Sequence, residues 1–428
     1  MESIANTNIP DKINKSRAAI AFKFNPLLAE FHANPYPTYH RLRSEEPVHL
    51  NFAGEWVLTR YTDVKMVLGD RRFATDKIPE RIQEKNQYVQ HKGKNFNTLV
   101  TTARKWLLFI DPPEHTRLRQ MVNKAFFLKT VERIRPQIQM TLDELIGKVR
   151  DTGKIDIIAD IAAPLPVIII SKILGLPAED YHDLKYWADE LFLVFEPLMS
   201  LEDYERLNQI AIEFTQYLRR IIIERLNHPQ EDLISALVTA RVEQGQQLTQ
   251  DAENDLLSFC TALFSAGEET TVNLIGNGML ALLSHPDQME KLRREPAIIQ
   301  SAVEELLRYD SPVQLIARTA TEDVLVGDKT IHAGDRIVVS LGAANRDPIE
   351  FPDPDILDLT RSENHHFAFG DGIHVCIGAA LARAQGQIAI STLIQQLPNL
   401  KLNTDKLEWL KNIVVRGLKA LPVTFTPS

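Results

Sequence analysis

The chain has 428 residues, 44% hydrophobic and 25% charged, enough apolar mass for a substantial core beneath an ordinary polar surface. Its formal charge of −9 excludes broad nucleic-acid binding, which needs basic patches that displace counterions. Only two cysteines occur, Cys260 and Cys376. They exclude a disulfide framework and any all-cysteine metal or iron–sulfur site made from this chain alone, and a reducing cytoplasmic setting is expected.

In chain order, residues 1–25 are mostly polar, and their longest apolar run, Ala18 to Phe22, is too short for the core of a secretory signal. No repeat, low-complexity block or Gly/Ser-rich linker divides the rest, so residues 26–428 read as one domain. Trp56-Val-Leu-Thr-Arg60 has strand character after a turn at Gly54. Gln83 to Arg104 is polar and weakly patterned, the profile of a long mobile loop. From Pro113 to about Glu305, apolar residues recur at steps of three and four, which predicts helices broken at Pro and Gly. The most apolar stretch, Ile161 to Leu176, is interrupted by Pro164, Pro166 and Lys172, so no membrane anchor is expected from it.

The longest periodic stretch runs from about Thr249 to Ser284. Leu256, Leu257, Cys260, Leu263 and Phe264 form one apolar stripe, and Leu274, Ile275, Met279 and Leu282 a second. Thr249 or Asp251 is placed to cap its start and Pro286 to stop it. A helix of that length spans roughly 50 Å and crosses the whole molecule. Its middle, Ala266-Gly267-Glu268-Glu269-Thr270-Thr271, departs from good helix composition and puts carboxylates in the apolar face, so a kink or a polar patch is expected there. Val324 to Ala343 reads as short strands around turns at Gly327-Asp328 and Ala333-Gly334, followed by an irregular stretch from Asp347 to Thr360. The expected fold class is mainly α with a smaller β portion.

The segment that decides the chemistry is Phe369-Gly370-Asp371-Gly372-Ile373-His374-Val375-Cys376-Ile377-Gly378. Gly370 and Gly372 make a tight loop, and Ile377 to Leu397 is helical in pattern, so Cys376 sits just before a helix N-terminus. Free amides and the helix dipole there favour a thiolate. A dinucleotide-binding loop is excluded because GxGxxG would need glycine at Val375. A lone cysteine is ordinarily an inert buried one; inside this frame the thiolate-ligand reading prevails.

With every fixed position of Phe-Gly-x-Gly-x-His/Arg-x-Cys-x-Gly filled, the chain resembles the cytochrome P-450 superfamily, from about Asn34-Pro35-Tyr36 to its end, and is most similar to soluble bacterial members that tailor polyketides and other secondary metabolites. The resemblance implies haem b between the long central helix and the helix after the cysteine loop. Cys376 is then the iron ligand, and Phe369, Gly370 and Gly378 frame it. Ala266 and Gly267 leave room for dioxygen, Thr270 hydrogen-bonds to it, and Glu269 relays protons. His115, Arg119, Arg318 and His374 hold the propionates, whereas Arg117, His365 and His366 are read as surface or loop residues. Glu305 and Arg308 match the family's structural Glu–Arg pair. The arginine that usually completes it is replaced by Ile356, so either Arg361 completes the network or the pair stands with a simpler one.

By the same resemblance, one oxygen atom of O2 is inserted into a largely apolar small molecule, a secondary metabolite, terpenoid or fatty-acid-like compound. The expected pocket is lined by the 83–104 loop, the stretch from Phe192 to Met199, Leu263, Phe264, Ala266, Val313, Leu315, Ile316 and Val414. Nothing in the chain resembles a flavin or iron–sulfur domain, so electrons from NAD(P)H are expected through a separate ferredoxin and ferredoxin reductase. A basic patch of Arg117, Lys124, Lys129 and Arg383 is the expected docking face, and a monomer the expected state. Two other readings stay open: a peroxide-driven haem-thiolate oxidase, which would not need Glu269 and Thr270, and a non-enzymatic haem sensor or carrier.

Overall fold

A computed structural model of the chain describes residues 24–125, 128–196, 198–242 and 249–427. Its axis is a single 35-residue helix, Gln250–Ser284, whose first turn is capped by the Thr249 hydroxyl accepting from the Ala252 amide. The helix does not break at the glycine–threonine segment. Thr270 and Thr271 instead turn their hydroxyls onto the carbonyls one turn back, Ala266 at 3.0 Å and Gly267 at 2.9 Å. That back-bonding lets threonine sit inside a helix it would otherwise disfavour. Apolar residues cover nearly the whole circumference because the helix is wrapped by others: Pro164–Leu174, Tyr181–Phe192, Leu201–Asn227, Ile299–Tyr309 and Ala379–Gln396 all pack on it. The apolar window Ile157–Leu174 has the length and hydropathy of a membrane span, yet 67% of it is buried inside this helical body.

The packing of the central helix on the helix Ala379–Gln396 fixes the geometry of the cysteine-bearing cleft. A Cβ added to Gly386 would meet Leu274 Cδ2 at 2.8 Å, and one added to Gly278 would meet Ile390 Cδ1 at 3.1 Å. The two helices therefore run in the same direction, close together at these glycines, in a register that steps four residues on each.

The smaller β portion is a five-stranded sheet in the order Val48–Leu50, Trp56–Leu58, Arg336–Ser340, Leu315–Ala320, Phe73–Thr75. Only the pairing of Trp56–Leu58 with Arg336–Ser340 is parallel. Two short hairpin strands, Val324–Val326 and Lys329–Ile331, turn at Gly327, as the sequence leads one to expect. Opposite the edge strand, Arg318 pairs with Thr75.

The expected loop at 83–104 is instead mostly helical: Ile78–Gln90 and Asn97–Ala103. Ile78, Pro79, Ile82 and Val89 are buried together with the polar Asn86, which breaks the apolar periodicity. Asn86 is satisfied in the core, accepting from the Phe96 amide at 2.6 Å and donating to Asn97 Oδ1 at 2.9 Å.

The Glu–Arg pair is present and enclosed. Glu305 and Arg308 are both 0% exposed and joined through two bonds of 2.7 and 2.8 Å. Arg361 supplies the second cation, 3.2 Å from Glu305, and Asn364 and the Asp358 amide also donate to the same carboxylate. The arginine missing at Ile356 is thus made up from five residues further along the chain.

Candidate active site

The cysteine loop is fixed mainly by its backbone. Gly370 and Gly372 have φ of +71° and +67°, and any side chain at Gly372 would run into the Leu68 carbonyl at 2.5 Å. The Cys376 amide donates to the Phe369 carbonyl at 2.9 Å, and the helix Ala379–Gln396 begins three residues later. Cys376 is accessible, yet protein crowds it closely enough that desolvation dominates its environment and raises the thiol pKa. The sulfur therefore stands on the wall of an interior cleft. The Gly378 and Ala379 amides and the Arg119 and Arg383 guanidiniums pull the other way, as expected at a helix N-terminus, but for the unligated thiol burial outweighs them.

The opposite wall comes from the central helix. Extending the glycine register back two turns sets Ala266 and Gly267 across from Gly378 and Ala379. In a helix whose neighbouring turns are buried, Ala266, Gly267, Glu269 and Thr270 are all partly accessible, as are Ile377 to Ala380 facing them. A Cβ at Gly267 would touch nothing. The helices that clasp at Gly278 and Gly386 have splayed apart here, leaving a thiol on one jaw and small residues, an alcohol and a carboxylate on the other. Glu269 accepts from Asn273 Nδ2 at 3.0 Å, and burial raises its carboxyl pKa.

Around one edge lie the four residues matched to the propionates. The rings of His115 and His374 are 4.4 Å apart, and Nε2 of each is buried without a hydrogen-bond partner. His374 Nε2 is 3.5 Å from Asp111, too long for a good bond. Desolvation, with His374 second, pushes the His115 pKa down to about 4. Arg119 donates to the carbonyls of Ile373 and Val375 at 2.9 and 2.6 Å, which ties it to the cysteine loop. Arg318 is buried in the sheet, where it donates to the Ala317 carbonyl at 2.9 Å. Orphaned imidazole nitrogens and two guanidiniums at the rim of a slot that holds a thiol fit a flat, dianionic, iron-bearing group. His366 bonds to Glu304 at 3.1 Å.

A cavity of about 360 Å³ opens beside Arg318. Leu315, Ile316 and Val414 line it, with Phe195, Leu198 and Phe109. Three other residues named with them from the sequence do not line this cavity. Phe264 is 0% exposed because it packs on Phe214 at 5.0 Å; Leu263 is in the same core; and Val313 instead bridges to Val415 beside the cavity. From the 78–104 region the wall takes Ile78 and Arg81, which lie before the stretch singled out from sequence.

The expected basic patch is largely spoken for. Arg117 is paired with Glu114 and Asp255, and Arg383 with Glu304; the side chains of Lys124 and Lys129 lie outside those described.

Nothing in the sequence gave Glu268 a role, yet it is 0% exposed with neither carboxylate oxygen hydrogen-bonded. Lys185 Nζ lies 3.4 Å from one oxygen, an ion-pair distance without bonding geometry, and is itself paired to Asp189. Burial pushes the Glu268 pKa up to about 8. A carboxyl that is more basic folded than unfolded costs stability as pH rises from about 4.5 through 8. Glu268→Gln is therefore expected to flatten that part of the stability-against-pH curve. Urea midpoints from pH 5 to 9 test this, and parallel curves for the two proteins contradict it.

The cytochrome P450 family model matches residues 73–413. The polyketide biosynthesis cytochrome P450 PksS of Bacillus subtilis strain 168 is 40% identical over 413 residues, 94% of this chain and 98% of that protein. A crystal structure of CalO2 superposes with a TM-score of 0.87 at 35% identity, covering 95% of this chain and 99% of that one. P450BioI, in complex with hexadec-9Z-enoic acid ligated acyl carrier protein, superposes with a TM-score of 0.85 at 39% identity, covering 93% and 99%. Fold and comparisons together define a haem-dependent oxidoreductase. The chain belongs to the cytochrome P450 family.

Proposed function

We propose that this protein is a haem-thiolate monooxygenase that inserts one atom of O2 into a largely apolar small molecule. The observation that carries the reading is the pairing of the Cys376 loop with the open face Ala266–Thr270 of the central helix, two jaws in register across one slot. Cys376 would hold the iron, with His115, Arg119, Arg318 and His374 on the propionates. Haem bound there supplies dioxygen binding and activation, with the thiolate promoting O–O cleavage.

The remaining work belongs to the chain. Ala266 and Gly267 keep the slot open by their small size. Thr270 Oγ1 holds a proton on that face while bonded to the Ala266 carbonyl, and rotation of its hydroxyl presents the proton to the slot. Glu269, more basic than a free glutamate because of burial and fixed by Asn273, would relay a proton to replace it. The cavity beside Arg318 excludes water from an apolar substrate along Leu315, Ile316 and Val414. The names of relatives, polyketide biosynthesis among them, support a secondary metabolite, terpenoid or fatty-acid-like substrate. Electrons would come from NAD(P)H through a ferredoxin and its reductase. One domain over residues 26–428, a monomer and a cytoplasmic location complete the reading. The presence of Glu269 and Thr270 on the open face favours dioxygen over peroxide as the oxidant.

Thr270→Ala tests the reading. Haem and substrate binding are expected to persist while product per NAD(P)H falls several-fold and hydrogen peroxide rises, because the proton donor is gone. A coupling ratio equal to wild type would take Thr270 out of the proton path.

A further inference from the structure

We propose that the cavity is built for an amphipathic acid, a long apolar chain lying along its walls with a terminal carboxylate held by Arg81 at the outer rim. The proposal rests on the functional reading in which this cavity is the substrate site. Arg81 lines the cavity from the helix Ile78–Gln90. Lys77, at the helix cap, and Lys85 are four residues to either side of it, so the three cations rise along one face about 6 Å apart. Both lysines are exposed.

Arg81 has a partner, but a shared one. Its Nη2 and Nη1 lie 3.2 and 3.4 Å from the Asp76 carboxylate. Arg336 already grips the same carboxylate through two shorter bonds, 3.0 and 3.1 Å, while reaching Glu55 with its remaining nitrogen. Asp76 is thus satisfied by Arg336, and the long bonds to Arg81 leave three of five guanidinium donors for something else. Of the charged groups that line the cavity, Arg81, Arg318 and Arg336 outnumber Asp76 and Glu55; Glu80 and Glu84, exposed and three residues beyond Lys77 and Arg81, do not line it.

The rim supplies the other half of the recognition. Leu27, Phe52 and Leu198 line the cavity although they are 49%, 64% and 65% exposed. Apolar side chains left in water around a mouth mark a binding surface. Beside them stands a cation whose planar fork matches a carboxylate. A neutral terpenoid would use the apolar walls and leave Arg81 idle; an acid with a long chain uses both.

The test is calorimetric titration of the haem-loaded enzyme with dodecanoate and with dodecan-1-ol, which share a chain and differ in charge. Wild type is expected to bind the acid about tenfold more tightly, at one molecule per chain, the scale of one charged hydrogen-bond pair. Arg81→Gln should lose that preference with little change toward the alcohol, and Arg81→Lys should keep part of it. Equal affinities in wild type, or the same acid-to-alcohol ratio in Arg81→Gln, overturn the proposal. If neither compound binds while a terpenoid still shifts the haem spectrum, the acid proposal falls and the cavity reading stands. If no apolar ligand binds the loaded enzyme, both fall.

Discussion

Cys376→Ser is expected to remove the red-shifted Soret band that thiolate ligation gives the carbon monoxide complex, and to leave a folded protein. The loss comes from the inventory of soft ligands. The only other cysteine, Cys260, is buried in the core of the central helix, and burial pushes its thiol up to about 12, so it cannot act in place of Cys376. Folding should survive because the loop is held by glycine conformations and by the Cys376 amide bond to Phe369, neither of which depends on the sulfur. Serine is nearly the size of cysteine and its hydroxyl stays protonated, so shape is kept and the strong donor is lost. A carbon monoxide difference spectrum decides the matter: an unshifted band matches the expectation, and the wild-type band in the mutant would remove Cys376 from the iron.

The largest stability effect is expected at Glu305. Its carboxylate, wholly enclosed, is shared by Arg308, Arg361, Asn364 and the Asp358 amide. Arg308 also holds the carbonyls of Asn345 and Pro354, which pins the irregular stretch onto the helix Ile299–Tyr309. Glu305→Leu leaves Arg308 without its anion in a place water does not reach and takes the carboxylate from Arg361 as well. Breaking one partner of a buried pair costs about 3–5 kcal/mol. That is much of a typical folding margin of about 5–15 kcal/mol. Arg361→Ala should cost less, since Arg308 still neutralises the glutamate and Arg361 is nearer the surface. Urea denaturation compares them, and a wild-type midpoint for Glu305→Leu would show that the network is not structural.

Much of this was legible in the residues themselves. The central helix, its threonine cap, the hairpin at Gly327 and the cysteine loop all come from signals that are local: a period near 3.6, a capping hydroxyl, glycines where only glycine fits. What stayed hidden depends on partners distant in sequence. Asn86 looked like a loop residue because its partners are Phe96 and Asn97, which only folding brings to it. Phe264 lies two residues before the open Ala266, and only its packing on Phe214 shows that it points into the core. Arg383 read as a free charge because Glu304 lies far along the chain, as does Asp255, the second partner of Arg117. Glu268 carried no signal at all beyond being an acid in an apolar helix; its isolation is a property of three-dimensional packing. Arg361 is the intermediate case: the sequence offers it as a candidate, and geometry supplies the bond.

The clasp at Gly278 and Gly386 works as a fulcrum. Eight residues, about 12 Å along each rod, separate the Leu274–Gly386 contact from Ala266 on one helix and Gly378 on the other. Because helices are stiff, the gap between the jaws is set at that remote point by the thickness of two missing methyl groups. A single added carbon at Gly386, pressed against Leu274, would pry the far ends apart without altering one atom that lines the slot. The calibre of the site is therefore a property of the lever arms, and it can be retuned from a place where nothing reacts.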